Sequence, residues 1–245
     1  TEISAGSTLT ATGNVIVGNN GGNGERPGYI TRLAIKGDGT LSVNNSADNG
    51  IFRVANQSRY AYLDMRNLST FNADVDLFQA GGTARVPNPI LWLAETNTIT
   101  ANRIEFPRPR GSYGGTATIY FGQSNTLKGD IMYCGYKSGT VSAQFDSSWS
   151  SPSLTLRAKD GVSRVTPLYV GYTDYQSSAG TLDLRGGSID LLVGEMYVGR
   201  GAESHGSHKG RGWFYMDDGT VDANTLSIGL STNGWGQGYV HCEGG

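Results

Sequence analysis

The sequence predicts an all-β protein, a right-handed single-stranded parallel β-helix (β-solenoid) of about eight coils, each of roughly 27–35 residues. Three observations predict it. Short alternating polar–apolar runs recur between glycines, as in Gly180–Gly199, GTLDLRGGSIDLLVGEMYVG, and period-two runs bounded by Gly mark strands. The order of these runs repeats: ISAGSTLTATGNVIVG at 3–18 and WFYMDDGTVDANTLSIG at 213–229 share one pattern of turn, Thr-apolar pair, gap and closing apolar-x-apolar-Gly. Finally, Gly makes up 37 of 245 residues and charged residues only 16%. That composition suits short strands joined by many turns and disfavours both helices and a disordered polyelectrolyte.

Each coil is anchored on a Thr or Ser followed by an apolar residue. The anchors are Thr8-Leu9, Thr40-Leu41, Thr70-Phe71, Thr98-Ile99, Thr126-Leu127, Ser153-Leu154, Ser188-Ile189 and Thr220-Val221. An alternating run precedes most anchors, among them Leu33-Ala34-Ile35, Leu91-Trp92-Leu93 and Phe214-Tyr215-Met216. Another follows each, for example Val15-Ile16-Val17, Ile131-Met132-Tyr133 and Met196-Tyr197-Val198. Three short strands per coil make three corners, and like strands stack into parallel sheets around a dry core. The whole of 1–245 reads as one such domain. A propeller needs blades of about 40 residues with four antiparallel strands; these repeats are shorter and lack regular hairpin turns.

Insertions fall mainly after the third strand, at 18–28, 106–115, 135–139, 171–180, 199–212 and 229–238. Stacking then places the loops along one edge, where repeat proteins often bind. Neither end shows an amphipathic capping helix or a charged plug. The expectation is a fragment, or a protomer whose open ends are covered by other subunits stacked head to tail.

The net charge of −2 carries no basic stripe for nucleic acid. No apolar run approaches the roughly 20 residues of a membrane helix, and any export signal lies outside these residues. Cys134 and Cys242 fall four coils apart, roughly 19 Å at strand spacing, which is beyond disulfide reach.

Residues 180–245, with GTLDLRGGSID, LLVGEMYVG, WFYMDDGTVDANTLSIG and GYVHCEGG, resemble bacterial cell-surface β-helix proteins. They are similar to the glycine-rich repeats of autotransporter passengers and of exported proteins with a C-terminal sorting tail. The resemblance extends over about 165–245 and 1–45; residues 60–135 keep the strand pattern without the Gly-Gly turn. It implies a scaffold, export and a bacterial extracellular or cell-surface setting, and it brings no catalytic residue with it.

Catalytic constellations are not evident. Asp217-Asp218 and Ser204-His205-Gly206 stand in the wrong order for a pectin-hydrolysing β-helix, and no Arg-x-Lys follows; Asp-Gly at 218–219 reads as a turn. Asp38, Asp64, Asp74, Asp76 and Asp130 are candidate Ca²⁺ carboxylates, but no loop supplies the about six to eight oxygens the ion takes, so the expectation is no cofactor beyond a structural Ca²⁺. His205 and His208 lack a third ligand, and no Gly-x-Ser-x-Gly occurs.

Aromatics near the loop edge, Tyr113, Tyr136, Tyr172, Tyr175, Trp213 and Trp235, are candidates for stacking on a glycan or partner. The leading expectation is a non-enzymatic structural protein of an extracellular filament, stalk or surface layer. It self-associates as a homopolymer through Ile3 and Leu9 at one end and Val240 and Cys242 at the other. The alternatives are an adhesin-like module binding glycans or a cell surface, and then a polysaccharide lyase or hydrolase.

Overall fold

The computed structural model describes residues 1–18, 30–55, 60–81, 88–106, 115–137, 139–173, 176–201, 207–231 and 233–243. The strands in chain order are β1 (Thr8–Ala11), β2 (Val15–Val17), β3 (Ile30–Ala34), β4 (Gly37–Asn44), β5 (Ile51–Val54), β6 (Tyr60–Asp64), β7 (Leu68–Ala80), β8 (Asn88–Trp92), β9 (Thr96–Phe106), β10 (Thr116–Phe121), β11 (Ser124–Tyr136), β12 (Thr140–Phe145), β13 (Ser153–Arg157), β14 (Leu168–Tyr172), β15 (Ser178–Asp183), β16 (Ser188–Arg200), β17 (Lys209–Met216), β18 (Asp218–Ile228) and β19 (Trp235–Cys242). They wind as a parallel β-helix of about seven turns. First strands form an 8-stranded sheet in the order β3-β6-β8-β10-β12-β15-β17-β19. Second and third strands share an 11-stranded sheet built on β1-β4-β7-β9-β11-β13-β16-β18, with β2, β5 and β14 continuing the third-strand part.

The second and third strands are therefore less separate than the sequence suggests. In β7, β9, β11, β16 and β18 they run on as one strand, and the corner is a single residue skipped by the ladder. Ala101 pairs with Gly129 and Arg103 with Ile131, leaving Asn102 and Asp130 out. Polar residues suit that outward position. Asn102 Nδ2 donates to Asp76 of the coil below, and Lys159 Nζ donates to Asn102 Oδ1 at 2.5 Å.

The sixth coil departs from the single decorated edge. It inserts residues 146–152 before β13 and 158–167 before β14. The second insertion ties coils together: Arg164 forms a 2.8 Å ion pair with Asp222, and the Lys159 N–H donates to Asp130 Oδ1 at 3.2 Å. The remaining insertions leave from strand ends stacked in register, Val17 on Val54 and Val54 on Ala80. Their central residues lie outside the described residues.

Alternation sends every second side chain inward, and equivalent positions stack into columns. One column runs Val15, Phe52, Phe78, Ile104, Met132, Leu168, Met196, Leu226. Phe52 and Phe78 stack at 4.8 Å with planes 1° apart, and Phe71 and Phe106 pack around them. Several buried polar residues accompany this apolar interior, among them Gln79, whose Nε2 donates to Glu105 Oε2 at 2.6 Å. Asn97 and Asn125, 0% and 2% exposed, cap their own first corners and bond to each other.

Candidate functional site

Two outer surfaces gather the candidate aromatics, and one glycine per coil builds the first. Gly135, Gly171 and Gly199 adopt left-handed φ of 86°, 73° and 74°. Each adds one inward residue to the alternation, so Tyr136, Tyr172 and Arg200 emerge beside Tyr133, Tyr169 and Tyr197. Only glycine fits there: a Cβ on Gly171 would lie 1.7 Å from the Arg211 carbonyl oxygen, and one on Gly199 would lie 1.9 Å from that of Gln237. The Gly that closes each apolar-x-apolar-Gly run thus marks a close approach of third and first strands as well as a turn.

The result is a ladder. Tyr133 stacks on Tyr169 at 5.1 Å, Tyr169 on Tyr197 at 5.2 Å and Tyr136 on Tyr172 at 5.6 Å. Within a coil, Tyr133 and Tyr136 lie 4.3 Å apart and Tyr169 and Tyr172 4.5 Å apart. The Arg200 guanidinium lies over Tyr197 at 4.6 Å and over Tyr172 at 5.4 Å, and it donates to the Tyr169 hydroxyl at 2.9 Å. A sugar stacks on an open aromatic face; here the rings cover one another.

Burial pushes the Tyr169 phenol up to about 12, although Arg200 pulls it down. Because the folded value exceeds the ordinary value of about 10, this contribution to stability is fully present below about pH 10 and is lost as pH rises toward 12. Stability measured by urea titration should therefore decline between about pH 10 and 12, and Tyr169→Phe should flatten that limb. An identical decline in the variant would show that another group causes it.

The second surface lies on the outer face of the first-strand sheet. Register places Lys209 beside Trp235, Arg211 beside Gln237, Trp213 beside Tyr239 and Tyr215 beside His241. Trp235 is 61% and Tyr239 47% exposed. Lys209 Nζ sits 5.6 Å from the Trp235 ring centre, and Arg185 lies over Tyr215 at 4.6 Å. Of the six candidate aromatics, Trp213 and Trp235 lie on this face, whereas Tyr136 and Tyr172 belong to the ladder. Tyr113 and Tyr175 lie outside the described residues. Tyr239 and His241 were not singled out from the sequence, although their alternation with Trp235 and Gln237 marks them as outward neighbours.

Of the assembly candidates, Ile3 is 5% exposed and packs beneath Gly37 and Gly39, whereas Leu9 is 47% exposed. At the other end, Val240 is half-buried and Cys242 exposed. Both border a cavity of about 400 Å³ over Met196 and Phe214. Leu226 and Ile228, inward by register with Met196 and Val198, are 49% and 51% exposed there. Both cysteines are free; burial raises the pKa of Cys134, leaving its thiol protonated and inert.

The carboxylates do not converge. Asp64 forms a 2.8 Å ion pair with Arg66, which holds its pKa down; Asp76 accepts from Asn102, and Asp217 Oδ2 accepts from the Gly186 N–H at 2.8 Å. Among the described residues, no three His, Cys, Asp or Glu side chains come close enough to hold a metal ion. His205 lies outside them. Comparisons with protein-family models, curated proteins and solved structures find no match to this chain.

Proposed function

We propose that the chain is a non-enzymatic structural solenoid, a segment of an extracellular filament, stalk or surface layer that extends by stacking coil on coil. The observation that supports this most is the unbroken stacking of inward apolar columns from coil to coil, Val15 through Met132 to Leu226, which any further coil on β18 continues over Leu226 and Ile228. Elsewhere the same columns are closed by the next coil. The outer edge of β18 presents unpaired N–H and C=O groups, a template for a further parallel strand. The β1 edge with Leu9 presents the opposite side of the same sheet, so copies associate head to tail, and such a contact grows rather than closes. The bacterial extracellular setting rests on the resemblance of 180–245 to surface β-helix repeats.

Ile228→Asp tests the contact. Its side chain is half exposed, so the single copy should lose about 1 kcal/mol or less, while assembly is abolished. Cys242 offers a parallel readout, because it should be alkylated quickly in the variant and slowly in the assembled protein. Equal alkylation rates and equal particle sizes for both proteins would exclude this contact.

Exposed Trp235 and Tyr239 favour a second reading, an adhesin-like module that binds glycans on the β17–β19 face. Its test is glycan-array binding that disappears in Trp235→Ala; an unchanged array profile refutes it.

A further inference from the structure

The Thr and Ser anchors that define the repeat also build a surface that stacking at the coil ends leaves untouched. On the second-strand part of the larger sheet the outward residues form two columns eight ranks deep, with Thr or Ser at thirteen of the sixteen positions and Asn72, Asp190 and Asp218 at the others. The ranks are Thr8 and Thr10, Thr40 and Ser42, Thr70 and Asn72, Thr96 and Thr98, Ser124 and Thr126, Ser153 and Thr155, Ser188 and Asp190, Asp218 and Thr220. Every one of these side chains is half or fully exposed.

The strands carrying them are parallel and in register, with a single irregularity before Thr40. Ranks are therefore about 4.8 Å apart and the two columns about 6.7 Å apart, over a length of roughly 34 Å. The first six ranks hold no charge and no aromatic ring. None of their side chains hydrogen-bonds to another described residue, which leaves the hydroxyls to order water.

We propose that this face binds the surface of ice. A β-branched residue is favoured in a strand, and Thr–Thr pairs add about 0.2–1 kcal/mol each. Val or Ile meets the first preference equally well, and solvent-facing strand positions usually carry Lys or Glu for solubility. A two-dimensional array of hydroxyls and methyls at fixed spacing does something neither alternative does. It offers donors and acceptors in rows about 4.8 Å apart, a repeat near that of the oxygen rows on a prism face of hexagonal ice. The in-register parallel ladder holds them there at little ordering cost, the condition for binding through many weak contacts. A glycan is the poorer fit, because the face has neither an aromatic platform nor a cleft.

The test is ice growth in the presence of the purified chain. The native protein should show thermal hysteresis, shape crystals into facets and suppress recrystallisation. The double variant T98K/T126K, in the middle of the array, should abolish all three while keeping the native thermal unfolding curve. Thr155→Lys, on another coil, repeats the test should the double variant fold poorly. Ser142→Lys, outward on the other sheet, should leave ice growth inhibition unchanged. Native protein without hysteresis or recrystallisation inhibition overturns the proposal. So does activity retained in T98K/T126K, or adsorption to crystalline chitin or cellulose with no effect on ice.

Discussion

Asn125→Ala is expected to destabilise the protein by about 4 kcal/mol. The amide sits in an inward ladder with Leu154 on one side and Asn97, then Phe71, on the other, and it is 2% exposed. Its Oδ1 accepts from the Gly122 N–H at 3.0 Å and from Asn97 Nδ2 at 2.9 Å. Its Nδ2 donates to the carbonyls of Gly122 at 2.8 Å and Ser153 at 2.9 Å. Truncation leaves a buried N–H, two carbonyls and half of the Asn97 amide without partners, each costing about 1–3 kcal/mol when no water reaches it. Urea titration should show a large fall in midpoint, and hydrogen exchange should place the loss in the coils around β9, β11 and β13. A loss below about 1 kcal/mol would mean that water replaces the amide.

Gly199→Ala is expected to cost about 3 kcal/mol and to disorder the upper end of the tyrosine ladder. Two effects add. The left-handed backbone strains any residue with a Cβ, and that Cβ would fall 1.9 Å from the carbonyl oxygen of Gln237 on β19. The first and third strands must then separate at this edge, and Arg200 moves off Tyr169 and Tyr197. Gly186→Ala is the control: its φ is 79° but no atom lies within 4 Å of the added methyl, so only the backbone term of about 1 kcal/mol applies. Near-UV circular dichroism should change in Gly199→Ala and stay native in Gly186→Ala. Equal losses in the two variants would remove close approach as the reason for glycine.

The winding of the chain is legible in its alternation, because one inward and one outward residue per step is all a solenoid sheet requires. Register is less so. Thr40 pairs with Thr70 as the anchors imply, but Thr70 pairs with Thr96 rather than Thr98, and Thr126 with Thr155 rather than Ser153. A slip of two residues keeps every side chain on its own face, so periodicity cannot detect it. Merging of second and third strands is hidden for a related reason: a corner that skips one residue resembles an ordinary polar position, as at Asp76 and Asn102.

The candidate surfaces were half visible. Trp213 and Trp235 stand out as rare residues beside loops. The tyrosine ladder does not, because Tyr133, Tyr169 and Tyr197 read as scaffold, and their meeting with Tyr136, Tyr172 and Arg200 depends on the extra residue supplied by Gly135, Gly171 and Gly199. The hydroxyl columns were in plain view as anchors, but as a phase marker rather than a surface. Their two-dimensional order exists only once the strands are stacked.

In the proposed function, the solenoid extends by stacking on itself. Sedimentation velocity over a wide concentration range, with the boundary material imaged by electron microscopy, tests it most directly. Particles of constant width whose length grows with concentration are expected, and single-chain particles for Ile228→Asp. A native protein that sediments as one monodisperse single-chain species at every concentration would contradict it.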